Sequence, residues 1–336
     1  MATRGLSRPG PAPVTVWFLV LPDTLLLDLA GPAEAFRLAN QALARRGQAP
    51  AWRLRHASPL PSVGTSVGLQ VSGLEPLPAA LPSPSWVFLL GRPGEAAEVT
   101  RHERPWLAAR DWLTRVVAPA LDTGAGLRLL TVCSGALLAA DAGLLANRCA
   151  TTHHELLADL ARLAPAARVL ADRVFVEDGP VLSSAGVTAG IDLALHCIAQ
   201  HAGEALAAEV AQVMVVFHRR GAGDPERSPL LAGRRHLHPA LHRVQNAVGS
   251  APAEDWDVAR MADLAHVTPR HLTRLFAEHV GCSPRDYLEQ VRRTFMSEAL
   301  AAGWPTAKAL ALAGFSNERQ WRRARQRAGG SGVHAP

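Results

Sequence analysis

Aromatic residues are scarce in this chain: one tyrosine, and 5% Phe, Trp and Tyr together. A hydrophobic content of 48% is nevertheless ample for a sizeable core. Cysteines are few and scattered. Cys133, Cys149, Cys197 and Cys282 include no Cys-x-x-Cys pair, which argues against a disulfide framework or zinc knuckle and fits a reducing compartment. Long apolar runs are missing as well. Val14–Leu21 is far shorter than the roughly 20 residues of a membrane helix, and Met1–Pro13 lacks the apolar stretch of a secretion signal. The expectation is a cytoplasmic protein with no membrane partner. Clusters with metal-ligand spacing are also lacking. His236 and His238 alternate without carboxylate or cysteine company and read as surface histidines, and His196 reads as a satisfied core histidine. Neither a metal nor a cofactor is expected.

Lysine is almost absent, one against 34 arginines, and the net charge is +6. Its placement is uneven. Residues 1–233 carry 20 basic and 20 acidic side chains, whereas residues 234–336 carry 15 and 9. A neutral part followed by a basic part points to a polyanion partner for the latter alone. The competing reading is an arginine-rich composition with no partner.

A length of 336 residues favours two domains. Val14–Leu21, Trp86–Leu90 and Leu127–Val132 read as buried strands, and Val174–Val176 with Val181–Ser184 as a hairpin. Gly31–Ala44, with Pro32 in its first turn, reads as a helix, as do Trp106–Leu121, Leu137–Ala142, Gly190–Gln200 and Glu204–Arg219; the last suits either a core or a dimer seam. Apolar strands alternating with helices predict an α/β fold with a parallel sheet covered on both faces. Gly221–His238 is aperiodic and reads as a linker, and from Pro239 onward no strand signal remains. The expected layout is a disordered tail (1–13), an α/β domain (14–220), a linker (221–238), an all-α domain (239–330) and a tail (331–336).

The all-α part contains a repeat at an offset of 49. Thr268-Pro-Arg-His-Leu-Thr-Arg274 matches Asn317-Glu-Arg-Gln-Trp-Arg-Arg323. A capping residue opens each helix (Thr268 or Asn317), and an apolar residue faces inward (Leu272 or Trp321). Each is preceded by a short apolar helix and a turn: Val258–Ala265 with His266-Val267, and Ala307–Ala313 with Gly314-Phe315. This is the layout of a helix-turn-helix, whose second helix reads base edges in the major groove. Arg270, Thr273 and Arg274 share one face by their spacing, as do Arg319, Arg322 and Arg323.

Met261–Phe276, Gly281-Cys-Ser-Pro-Arg-Asp-Tyr-Leu288, Arg292 and Gly314–Asn317 resemble the AraC-type regulators over about residues 240–330. The resemblance implies that both units enter successive major-groove faces of one operator, with Arg270, Thr273, Arg274, Glu318, Arg319, Arg322 and Arg323 on the reading surfaces. Arg325 stands where that family places an aromatic, Leu310 where it places a small residue, and the closing Gly-x-Ser-Pro stretch is degraded. An arginine at that core position is expected to cost packing unless its stem snorkels.

Cys133 follows a buried strand directly and opens a helix. One reading is a thiol with a pKa lowered by the helix N-terminus, at the kind of turn that exposes nucleophiles. The other is a small buried apolar residue. The motifs Leu27–Phe36, Val132-Cys-Ser-Gly-Ala136, Ala150-Thr-Thr-His-His154 and Ser184–His196 resemble the PfpI-like branch of the class I glutamine amidotransferase-like superfamily. Combined with the AraC-type part, the chain resembles the GlxA-type regulators over residues 14–330. That resemblance implies a flavodoxin-like sensing domain whose effector pocket involves Asp28, Gly91, Cys133, Ser134 and His153. Gly91 and the turn after it would offer backbone N–H groups to an anion. The implied partners are double-stranded DNA, a small effector of the nitrogenous-metabolite class, and a second copy in a homodimer. Ser134 stands where hydrolytic members place histidine, so no catalytic residue is assigned. The alternative is a hydratase or hydrolase using Cys133 and Asp28, and a weaker third is redox sensing through Cys133.

Overall fold

The structure, a computed structural model, describes residues 12–329 except 125, 217–218, 223, 225, 227–233, 235 and 302. The expected tails, except residues 12 and 13, and most of the expected linker therefore lie outside the described residues. The chain divides into two compact units, residues 1–226 and 227–336.

The strands of the first unit are β1 (Val14–Leu19), β2 (Trp52–Ala57), β3 (Ser62–Gly64), β4 (Gln70–Ser72), β5 (Ser85–Leu89), β6 (Leu127–Val132), β7 (Cys149–Ala150), β8 (Arg168–Val169), β9 (Phe175–Asp178) and β10 (Val181–Ser184). Its helices are α1 (Leu26–Arg45), α2 (Ala96–Val99), α3 (Arg104–Trp112), α4 (Ala118–Asp122), α5 (Gly135–Asp141), α6 (Leu157–Leu163), α7 (Ala189–Ala202) and α8 (Glu204–Val213). The main sheet runs β2-β1-β5-β6-β10-β9. Its strands are parallel except β9, which pairs antiparallel with β10.

The apolar runs without alternation are explained by two cores, one on each sheet face. Val16, Phe18, Phe88 and Leu130 enter one core with α1, α7 and α8, while Trp17, Leu19, Val87 and Leu129 enter the other with α3 and α5. Side chains alternate across a strand, so burying both faces favours apolar residues at successive positions.

Three expectations are corrected. Helix α1 begins at Leu26, five residues before the expected start, so Pro32 lies within it rather than in its first turn. Its buried face already includes Asp28 and Leu29. Helix α8 ends at Val213, and Val215 takes a left-handed φ of 56°, so the helix expected to reach Arg219 stops early. Arg220 is instead clamped to Asp192, its Nε and Nη2 donating to Oδ2 at 2.9 and 2.7 Å. The helix expected over Trp106–Leu121 contains a π-helical turn, Leu113–Val117, between α3 and α4. Strands β2, β3, β4, β7 and β8 were not anticipated. Four are only two or three residues long, and β2 (Trp-Arg-Leu-Arg-His-Ala) carries two arginines.

The second unit is helical: α9 (Pro239–Ser250), α10 (Val258–Ala265), α11 (Pro269–His279), α12 (Pro284–Ala301), α13 (Thr306–Ala313) and α14 (Glu318–Gly329). Helix α12 serves two cores. Tyr287, Leu288 and Val291 join Leu241, Val244, Met261, Leu272 and Phe276, whereas Met296 joins Ala309, Ala313, Phe315 and Ala324. Among the described residues, Met296 and Phe315 are the only large buried side chains of that second core. Arg325 is exposed, so the expected packing cost of a core arginine is corrected. The side chain turns to water, and what the second core forgoes is the aromatic. Among the described residues no helix is long and apolar enough to cross a membrane.

Candidate functional site

Loops leaving the carboxyl ends of the parallel strands converge on Cys133, the usual site location in open α/β sheets. Cys133 follows β6 with φ 54°, a conformation that costs a non-glycine residue energy. The surroundings hold it there. Its N–H donates to Ser184 O at 3.1 Å, and the Thr152 hydroxyl donates to its carbonyl at 2.8 Å. A Cβ on Gly186 would stand 2.2 Å from Cys133 Cβ, and one on Gly91 would stand 2.8 Å from it. Both positions admit only a hydrogen.

Asp28 is fully buried beside the elbow. Its Oδ2 accepts the Gly91 N–H at 3.1 Å, and its Oδ1 accepts the Val187 N–H at 3.0 Å. Val187 is β-branched with φ 51°, a genuine outlier for such a residue. Two strained residues thus flank one buried carboxyl. Burial pushes the Asp28 pKa from 3.8 up to about 7, against the two backbone N–H groups that lower it. The folded protein therefore holds a proton that the unfolded chain has lost across that interval. Asp28 should make stability fall as pH rises from about 4 to about 7, by up to about 1.4 kcal/mol per pH unit. Denaturant titrations across that range should show the slope, and Asp28→Asn should flatten it. An equal slope in the variant would remove Asp28 as its source.

The thiol does not have the lowered pKa expected at a helix N-terminus. Burial first, then the neighbouring Asp28 carboxylate, push Cys133 up from 9.0 to about 12, and the Ser134 N–H only partly offsets them. At pH 8 the thiolate fraction is about 1 in 10,000. Iodoacetamide at that pH should label Cys133 far more slowly than the half-buried Cys149, as read by peptide mass spectrometry. Rapid labelling of Cys133 would contradict its burial.

The structure brings Asp28, Gly91, Cys133 and Ser134 together. The expected anion-holding N–H groups are already committed, Gly91 to Asp28 and Arg92 to the Ser134 hydroxyl at 2.7 Å. Ser134 Oγ in turn donates to Arg92 O at 2.8 Å, so it braces the loop after β5. His153 lies one residue beyond Thr152, half-buried, with its ring 4.2 Å from that of His154. His154 Nδ1 lies 2.8 Å from Glu226 Oε1. His196, expected in the core, sits partly exposed and pairs its Nε2 with Glu177 Oε2 at 2.8 Å. Gly186, Val187, Thr152 and Arg92 are site residues the sequence reading did not single out. Gly186 and Val187 lie inside a motif it quoted, but no local pattern marks which loop residue will reach another strand's end.

In the second unit both helix-turn-helix layouts are present. The Thr268 hydroxyl accepts the His271 N–H at 3.3 Å, and Asn317 Oδ1 accepts the Gln320 N–H at 2.9 Å, capping α11 and α14. Each preceding helix closes with a left-handed residue, His266 (φ 57°) or Gly314 (φ 77°). Then the turns differ. Val267 N–H donates to Ala262 O, and Phe315 N–H to Leu310 O, so these residues correspond at an offset of 48. The caps correspond at 49, and Ser316 is the additional residue. Arg270, Thr273, Arg274, Glu318, Arg319, Arg322 and Arg323 are all exposed. Arg322 Nη2 donates to Glu318 at 3.1 Å. Arg319 and Arg323 line an open groove together with Arg285 and Arg327, a basic lining wider than the sequence reading proposed.

A helix-turn-helix domain family model matches residues 261–331. HTH-type transcriptional regulator GbdR of Pseudomonas aeruginosa is 29% identical over 293 residues, covering 86% of this chain and 74% of that protein. HTH-type transcriptional regulator GlxA of Rhizobium meliloti is 30% identical over 280 residues, covering 82% of this chain and 81% of that protein. A crystal structure of an AraC family transcriptional regulator from Pseudomonas putida aligns with TM-score 0.49 and 19% identity, covering 60% of this chain and 100% of that one. A duplicated, capped helix-turn-helix behind an α/β unit, with matches of this extent, places the chain in one family: it belongs to the GlxA-type transcriptional regulators of the AraC family, which bind DNA.

Proposed function

We propose that a small metabolite bound at the carboxyl edge of the first unit's sheet controls how this regulator engages its operator in the cytoplasm. The proposed effector site is centred on Asp28, Cys133 and His153, with Gly91 and Ser134 as its floor. Arg270, Thr273 and Arg274, with Glu318, Arg319, Arg322 and Arg323, are the proposed reading residues, and the working species is a homodimer. The observation that carries the reading is the Asp28 clamp. One buried carboxyl holds strained Val187 and the Gly91 loop at once, so a ligand that competes for it moves two loops. Ligands act only through differential affinity for two arrangements, and a strained, single-point clamp is an element with two arrangements available.

Binding without turnover is the favoured use of this site. A thiol pushed up to about 12 is protonated at neutral pH, and a nucleophilic cysteine works as thiolate. Selection of genomic fragments by the purified protein, repeated with nitrogenous metabolites present, tests the proposal. Sharp sites whose occupancy shifts with one metabolite in the native protein but not in Asp28→Asn would support it. Occupancy indifferent to every metabolite that binds the protein would sink it.

A further inference from the structure

Beside the proposed effector site, His153 belongs to a second group of side chains, whose other members, His154 and Glu226, that site does not use. His153, His154 and Glu226 each offer a ligand atom within 4.8 Å of the others. They come from distant parts of the chain: the histidines precede α6, and Glu226 is the last residue of the first unit. The group is partly enclosed. The Glu226 side chain is 9% exposed, and those of His153 and His154 are 26% and 23% exposed. Glu226 Oε1 accepts the His154 backbone N–H at 3.1 Å besides facing its Nδ1 at 2.8 Å. His154 Nε2 is buried and has no hydrogen-bond partner, a condition that native structures rarely leave unexplained. Glu155 stands at the rim, 70% exposed, with one carboxylate oxygen 3.6 Å from His153 Nδ1 and the other 4.0 Å from His154 Nε2.

Two imidazoles and a carboxylate are the donor set of Zn²⁺ and neighbouring first-row divalent ions. Ligand atoms around a tetrahedral ion lie about 3.4 Å apart, so side-chain rotations close the observed group onto one. We propose that His153, His154 and Glu226 bind a first-row divalent cation, with the Glu155 carboxylate or water completing the shell, and that the ion fastens the end of the first unit to its body. Among the described residues, the segment before Glu226 is held by separate polar contacts that include Arg220 to Asp192, Arg219 to Glu204 at 2.7 Å, and Val174 N–H to Asp224 O at 3.1 Å. Glu226 is the last residue of the first unit, and among the described residues its contact with His154 is the last of that segment. An ion there converts a hydrogen-bonded end into a ligated one, at the point where any change in the sensing unit must be passed on.

The test uses untagged full-length protein stripped with a chelator, then titrated with Zn²⁺ by calorimetry and with Co²⁺ by visible absorption. One equivalent per chain is expected, with the intense bands of low-coordinate Co²⁺. Glu226→Gln and His153→Gln should each weaken binding at least about tenfold. A His236→Ala/His242→Ala variant should bind as the native protein does, since that second histidine group, rings 4.6 Å apart, is the competing location. Hydrogen exchange at residues 219–222 should slow on Zn²⁺ addition in the native protein and not in Glu226→Gln. Absence of stoichiometric binding would overturn the site, as would binding kept in Glu226→Gln and lost in His236→Ala/His242→Ala. Exchange unaffected by bound Zn²⁺ would overturn the fastening.

Discussion

Alanine at both Arg270 and Arg274 should abolish selective operator binding while leaving the fold intact. A bidentate arginine–guanine contact supplies roughly 1–3 kcal/mol of discrimination, so losing two should weaken specific binding by about 30-fold to about 20,000-fold. The loss should fall on binding alone because of where the side chains stand. On α11, Leu272, Leu275 and Phe276 are buried and carry the packing, while Arg270 and Arg274 are exposed. Arg274 meets its neighbour His271, Nη2 to Nδ1, at 3.1 Å. Thermal melts of the variant should therefore match the native protein within about 0.5 kcal/mol. Arg292 provides the contrast. Its guanidinium donates to Pro252 O and Glu254 O at 2.8 Å each, so Arg292→Ala should destabilise the unit before it alters recognition. Fragment selection with all three proteins separates the cases. Unchanged site selectivity in the double variant would mean that α11 does not read bases.

Gly186→Ala is expected to be among the most damaging small substitutions in the first unit. The new methyl would sit 2.2 Å from Cys133 Cβ and 2.7 Å from Cys133 Cα, at a backbone φ of 94°. Clashes with the far end of a flexible side chain are relieved cheaply, but Cα is not flexible, and the Cys133 backbone is pinned on both sides by Ser184 and Thr152. A cost above about 3 kcal/mol is expected, beyond the usual overpacking range. Gly68 isolates the conformational part: its φ is 80°, and nothing lies within 4 Å of an added Cβ. Gly68→Ala should cost only about 1 kcal/mol. Denaturant unfolding of both variants measures the difference, and similar losses would show that conformation, not crowding, dominates at Gly186.

The parallel sheet was legible because β1, β5 and β6 are apolar at most positions without a polar alternation, the pattern that two covered faces favour. Strand β2 was not, because Arg53 and Arg55 interrupt it and, at the sheet edge, its side chains are only partly covered. Within the DNA-binding unit the short helices and caps of the two helix-turn-helix layouts were legible almost to the residue: Val258–Ala265 coincides with α10, and both caps act as read, whereas α9 and α12 were given no bounds. Local capping chemistry decides such boundaries, so local sequence reveals them. At the elbow, the assembly of Asp28, Gly91, Cys133 and Ser134 followed from family resemblance. Its electrostatics did not, because the thiol's pKa depends on burial by Gly91, Gly186 and Asp28, which are distant in sequence. The same limit hid Glu226, more than seventy residues from the histidines it meets.

The additional residue in the second turn bears on engineering. A chimera that moves α14 into the place of α11 by aligning the two segments at a constant offset would carry Ser316 along or drop it, and so displace the cap by one position. One residue is about 100° of helical rotation, enough to swing Arg319 and Arg323 off the outer face and present Ala324 in their stead. Recognition helices from this protein are therefore transferable only with their own turns, cut before His266 in one unit and before Gly314 in the other. Exchanges that respect those cuts should keep both arginine faces outward, whichever scaffold receives them.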